Sequence, residues 1–82
     1  MRYALHPQVG IRPERFGALA YHYGNRRLTF LGDDKLLAVV RTAHDYDDID
    51  AAFTAADVPP AQWPAYRRAL DRLVAAEVVT CS

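Results

Sequence analysis

The chain has 82 residues, 51% of them hydrophobic, with ten basic and ten acidic side chains and zero formal net charge. That length predicts a single domain, residues 1–82, burying only about 60–65% of the surface its unfolded form exposes. The charge balance argues against a duplex-DNA binder, whose affinity rests on a basic excess that neutralises phosphates. Cys81 is the one cysteine and has no internal disulfide partner, which points to a reducing, cytoplasmic setting. No run of about 18 apolar residues occurs, and Met1-Arg2-Tyr3-Ala4 lacks the apolar segment of a signal peptide, so no membrane partner is expected.

Val9–Arg12 is a short strand candidate closed by Pro13. Phe16–Tyr23 follows as a second strand, and Arg26–Leu31 as a third. Gly24-Asn25 between them is a two-residue hairpin signal, because both residues tolerate positive φ. Such a loop sets Tyr23 opposite Arg26, Tyr21 opposite Leu28 and Leu19 opposite Phe30, which gathers the large apolar side chains on one face. Ala18, Ala20, His22, Arg27, Thr29 and Leu31 take the other face. A one-residue slip would destroy that agreement.

Asp33 or Asp34 is suited to cap a first helix. Leu36, Leu37 and Val40 share one face of it, and it should end near Ala43. Asp47 is the expected cap of a second helix, on which Ile49, Ala52, Phe53 and Ala56 fall at i, i+3, i+4 and i+7. Val58-Pro59-Pro60 ends it. The third helix should run from Ala61 or Pro64 to about Ala76, with Trp63, Tyr66, Leu70, Leu73 and Val74 as its apolar stripe. Val78-Val79 is an apolar tail able to dock on the sheet. The fold class is therefore α+β: a three-stranded antiparallel sheet followed by three helices, winged-helix-like in order.

The segments Leu5-His6-Pro7-Gln8-Val9, Arg12-Pro13-Glu14, Phe16-Gly17-Ala18-Leu19, Tyr21-His22-Tyr23-Gly24 and Leu28-Thr29-Phe30-Leu31 carry a resemblance. Over Leu5–Val79 the chain resembles the mycofactocin chaperones, within the PqqD-like group of RiPP recognition elements. Gly32-Asp33-Asp34-Lys35 departs from the Asn/Thr-rich helix entry usual in that group. The resemblance implies a non-catalytic peptide chaperone without cofactor. Such domains bind the leader of a ribosomally made precursor peptide as a strand added to the third strand, in a groove walled by the third helix. They also bind a radical SAM maturase, which in mycofactocin biosynthesis modifies the C-terminal Val-Tyr of the precursor. The implied peptide-binding residues are Arg27, Leu28, Thr29, Phe30 and Leu31 of the strand with Tyr66, Arg67, Leu70, Leu73 and Val74 of the helix. An exposed edge strand supports the same expectation, since its unpaired N–H and C=O groups are a template for an extended peptide.

Other chemistry has bland readings that win. His6, His22 and His44 show no metal-ligand spacing, and His22 reads as a sheet-surface residue. Cys81 sits beside the terminal Ser82, where catalytic geometry is hard to hold. The cluster Asp45, Asp47, Asp48 and Asp50 is explained by helix capping and the helix dipole. Arg26, Arg27, Arg67, Arg68 and Arg72 are either a solvated face or one side of a groove that attracts acidic peptide. The alternative function is a winged-helix nucleic-acid-binding domain. Its recognition helix would need base-reading side chains where this chain has Pro59-Pro60-Ala61-Gln62-Trp63-Pro64.

Overall fold

Alternating small and large residues from Val9 to Leu31 build the central sheet. Among residues 2–82, which the computed structural model describes, the elements are β1 (Tyr3–Leu5), β2 (Val9–Glu14), β3 (Gly17–His22), β4 (Leu28–Leu31), α1 (Asp34–Thr42), α2 (Ile49–Ala55), α3 (Trp63–Ala75) and β5 (Val79–Cys81). Single 3₁₀ turns lie at Ala43–Asp45 and Pro60–Gln62. The expected three antiparallel strands followed by three helices are present, in the sheet order β2-β3-β4.

The register is the one alternation predicts: Tyr21 faces Leu28 and Leu19 faces Phe30. The loop that sets it differs. Tyr23–Arg26 forms a four-residue loop, and the positive φ falls on Arg26, at 63°. The cause is His22, which is 5% exposed and not on the sheet surface. Its Nδ1 accepts from the N–H groups of Gly24 and Asn25, each at 3.0 Å. Arg26 N–H donates to the His22 carbonyl at 2.7 Å. The loop is thus wound around a buried imidazole. A four-residue and a two-residue loop of this kind share one register, so the strand pairing is unaffected.

The two-residue connection lies instead at Arg15-Phe16, closing the Glu14–Gly17 pair of β2 and β3. Gly17 has φ 149°, and a Cβ there would collide with the Leu31 carbonyl oxygen. Pro13 does not close the first strand, because β2 continues to Glu14. Tyr23 N–H donates to the Gln8 carbonyl, and alternation from that bond puts Pro13 at a position whose missing N–H faces away from β3. An edge strand tolerates proline there.

Asp33 caps α1, its carboxylate accepting from the N–H of Lys35 and Leu36. Asp48, not Asp47, caps α2 by accepting from Asp50 N–H at 3.0 Å. α2 and α3 each end on a left-handed residue, Asp57 (φ 60°) and Glu77 (φ 61°). Val58 N–H reaches the Phe53 carbonyl and Val78 N–H the Leu73 carbonyl, the six-to-one closure that satisfies helix-end carbonyls. The tail after α3 does not join the central sheet. β5 pairs antiparallel with β1 in a separate two-stranded sheet.

Buried side chains of all three helices form one core with Ala20 and Leu31 of the sheet's inner face. Phe53 is fully buried at the middle, its ring 5.7 Å from that of Trp63 and 5.9 Å edge-on to that of Tyr66. None of the helices is long and apolar enough to cross a membrane, among the described residues.

Candidate peptide-binding groove

β4 is an edge strand, and its free side is defined by one bond. His22 N–H donates to the Arg27 carbonyl at 3.0 Å. In an antiparallel ladder bonded and unbonded pairs alternate, so Thr29 and Leu31 bond to β3. The N–H and C=O groups of Leu28 and Phe30 therefore face outward, unpaired by any strand.

α3 flanks this edge and runs antiparallel to it. At one end Asn25 Nδ2 donates to Glu77 Oε2 at 3.0 Å. At the other, Tyr66 O–H donates to Asp33 Oδ2 at 2.7 Å. Helical spacing puts Ala65, Ala69, Arg72 and Ala76 along one flank of α3. Ala65 and Ala69, with Asp33, Leu36 and Tyr66, line a cavity of about 150 Å³ beside the end of β4. Side chains this small leave room for a backbone to approach.

The expected site residues separate into groups. Leu28 and Phe30 are exposed at 63% and 57%, Arg27 is exposed, and Thr29 is half-buried. Tyr66 forms the groove end. Leu31, Leu70 and Leu73 are buried in the core and can act only from beneath. Arg67 lies on the opposite flank, hydrogen-bonded to Asp50 of α2. It shares a second cleft with Tyr3, Asp47, Asp48, Ile49 and Asp71. Val74, seven positions on, shares that flank. Arg72 is the arginine whose helical position faces the β4 side. The residues that the sequence reading missed are Asn25, Asp33, Ala65, Ala69 and Glu77. The spacing of Ala65, Ala69 and Ala76 was a signal, but alanine on a helix is too common to stand out.

The Tyr66–Asp33 bond shifts both partners. Burial opposes ionisation of Asp33, yet the hydrogen bonds from Tyr66 O–H and from the N–H of Leu36 and Lys35 outweigh it, and its carboxyl is held below the ordinary value. Burial, then the bond to Asp33 and the charge of that carboxylate, push Tyr66 up to about 12. Asp33 therefore stabilises the fold above its unfolded pKa, and that contribution fades as pH falls through the lower folded value. The Tyr66 contribution is complete below the unfolded 10.0 and fades as pH climbs toward 12. The stability gap between the parent protein and Tyr66→Phe is expected to be widest at neutral pH and to narrow in acid. Urea unfolding at a series of pH values checks this, and a gap that is flat into the acid range would refute it.

The groove offers backbone hydrogen bonds beside an apolar strand, with no cluster of metal-ligating residues among the described residues. The family model for the peptide chaperone MftB family matches residues 2–80. The chain is 47% identical to the peptide chaperone MftB of Mycobacterium tuberculosis over 75 residues, covering 92% of this chain and 69% of the relative. Identity is 44% to the Mycobacterium ulcerans protein of the same name over the same shares, and 46% to that of Mycolicibacterium smegmatis over 85% of this chain and 69% of the relative. No solved structure matches the chain. On a family match spanning nearly its whole length, the chain belongs to the peptide chaperone MftB family, a family of chaperones and not of enzymes.

Proposed function

We propose that this chain is a peptide chaperone of mycofactocin biosynthesis, which takes the leader of a ribosomally made precursor as a strand on β4 and delivers it to a radical SAM maturase in the cytoplasm. The observation that carries the proposal is the open edge of β4, with the backbone of Leu28 and Phe30 facing outward beside the alanine flank of α3. Main-chain bonds would supply affinity, and alternate side chains would supply specificity. Nucleic acid is not an expected partner, given the zero net charge.

Titrating the isotope-labelled chain with a synthetic leader peptide tests the proposal. Amide shifts should concentrate in Arg27–Leu31 and along Ala65–Ala76. Shifts confined to Asp45–Asp50 would move the site to α2 and the opposite flank of α3. The arginines give a sharper prediction, because the flanks of α3 differ. If acidic peptide side chains meet Arg72, Arg72→Glu should weaken binding several-fold at low salt and much less at high salt. Arg67→Glu should leave peptide affinity unchanged and act instead through its lost pairing with Asp50. Equal effects of the two substitutions, read by fluorescence anisotropy, would contradict the groove as placed.

A further inference from the structure

We infer that the outer face of the β2-β3-β4 sheet is a second docking surface, built for a protein partner with an apolar patch and an acidic rim. It rests on the chaperone reading, which supplies that partner as the maturase.

The sheet is loaded unusually. Its inner face, under the helices, carries small residues, with Ala18 and Ala20 almost fully buried. The large apolar side chains point the other way. Leu19 and Tyr21 of β3 stand beside Leu28 and Phe30 of β4 by register, and no helix covers them. Tyr23, Leu28 and Phe30 are each more than half exposed. An exposed contiguous apolar patch costs solubility and marks an interaction site more often than a free surface. The face also has shape. Gly10 lies opposite Tyr21, and a hollow of about 370 Å³ opens there between β2, Tyr23 and Leu28. A Cβ on Gly10 would sit 2.8 Å from the Tyr23 hydroxyl oxygen, so glycine is what lets the tyrosine lie across the strand.

Charge selects the occupant. Between Val9 and Leu31 the sequence holds Arg12, Arg15, Arg26 and Arg27 against the single acid Glu14, so nine of the ten acidic residues lie elsewhere. The zero net charge is an average over a basic sheet end and an acidic helical remainder. Arg12 borders the hollow and pairs with Glu14 of the same strand at 3.4 Å, while Arg15 stacks over the Phe16 ring at 5.2 Å, so the rim keeps its cation excess after that pairing. A second copy of this chain is a poor occupant, since a two-fold interface on this face would set the same arginines against each other. A partner rimmed with carboxylates meets no such repulsion.

The face is also small. Three strands of up to six residues span about 14 by 20 Å, on the order of 300 Å², against about 800 Å² per partner in a stable complex. A peptide strand added beside β4 would widen the same face, because half of its side chains would stand next to Leu28 and Phe30. The docked protein would thus contact chaperone and peptide together.

Arg12→Glu combined with Tyr23→Glu tests this, since both positions are exposed and neither is on β4: Arg12 is on β2, and the Tyr23 ring lies over Gly10 of that strand. Binding to the radical SAM enzyme, measured by calorimetry, should weaken about tenfold or more, while leader-peptide affinity stays at the parent value. Arg12→Glu alone, with a parent-like amide spectrum, guards against misfolding and should show a smaller loss of the same sign. Unchanged affinity for the enzyme in the folded variants would overturn the inference. So would a parent protein that sediments as a dimer and variants that sediment as monomers, because a second copy would then hold the face. A parent that binds no leader peptide would overturn the chaperone reading and this inference with it.

Discussion

Proline at Leu28 should leave the domain folded and abolish strand addition, whereas proline at Thr29 should unfold it. The two residues are neighbours on β4, but their N–H groups point in opposite directions. Thr29 sits in a bonded pair with Ala20, so proline there removes a ladder bond and leaves the carbonyl of Ala20, a buried residue, without its donor. That alone costs about 1–3 kcal/mol, and the ring clash with the neighbouring strand adds to it. Leu28 N–H faces away from β3, and proline is tolerated at such edge positions. It is also a group that an incoming peptide strand would bond. Circular dichroism reports the fold, and peptide titration reports the groove. A folded Leu28→Pro variant that binds peptide as well as the parent would rule out strand addition through this residue.

Phe53→Ala should bring the domain close to unfolding. Phe53 is fully buried and its ring meets both Trp63 and Tyr66, so α2 and α3 are joined through it. Truncating a buried phenylalanine costs about 3–5 kcal/mol. A domain of this length has a total stability of roughly 4–12 kcal/mol. The substitution should therefore remove a large share of the stability, and peptide binding should fail with it because α3 would lose its seat. Equilibrium urea unfolding measures the loss, and a change below about 1 kcal/mol would mean that the core does not depend on this ring.

The sequence made the strand register legible because period-two alternation admits one pairing of Phe16–Tyr23 with Arg26–Leu31. It could not show which face is buried, since Ala18 and Ala20 pack inward while Leu19 and Tyr21 do not, against the usual preference. His22 escaped for the same reason. Its burial depends on the loop that its own imidazole organises, a contact invisible to propensity. β1 and β5 have three residues each and no turn between them, so no local signal links Tyr3-Ala4-Leu5 to Val79-Thr80-Cys81. In the groove, the sequence identified the edge strand and the apolar stripe of α3. It could not tell the two flanks of that helix apart. That distinction came from α2, whose Asp50 takes Arg67, and from Asn25 and Asp33, which fix where β4 meets α3.

The β1–β5 ladder brings Arg2 and Ser82 together, each donating its N–H to the other's carbonyl, at 2.7 and 2.9 Å. Closing a loop of nearly the whole chain costs about 4 kcal/mol of entropy, so this small sheet is expected to form late, after α3 has docked. A rearranged chain, with a short linker from Ser82 to Arg2 and new ends at the exposed Pro59-Pro60 connection between α2 and α3, would turn the most distant pairing in the molecule into a local hairpin while leaving the β2–β3 and β3–β4 hairpins intact. Such a permutant should fold faster than the natural order while keeping β4 and α3 side by side.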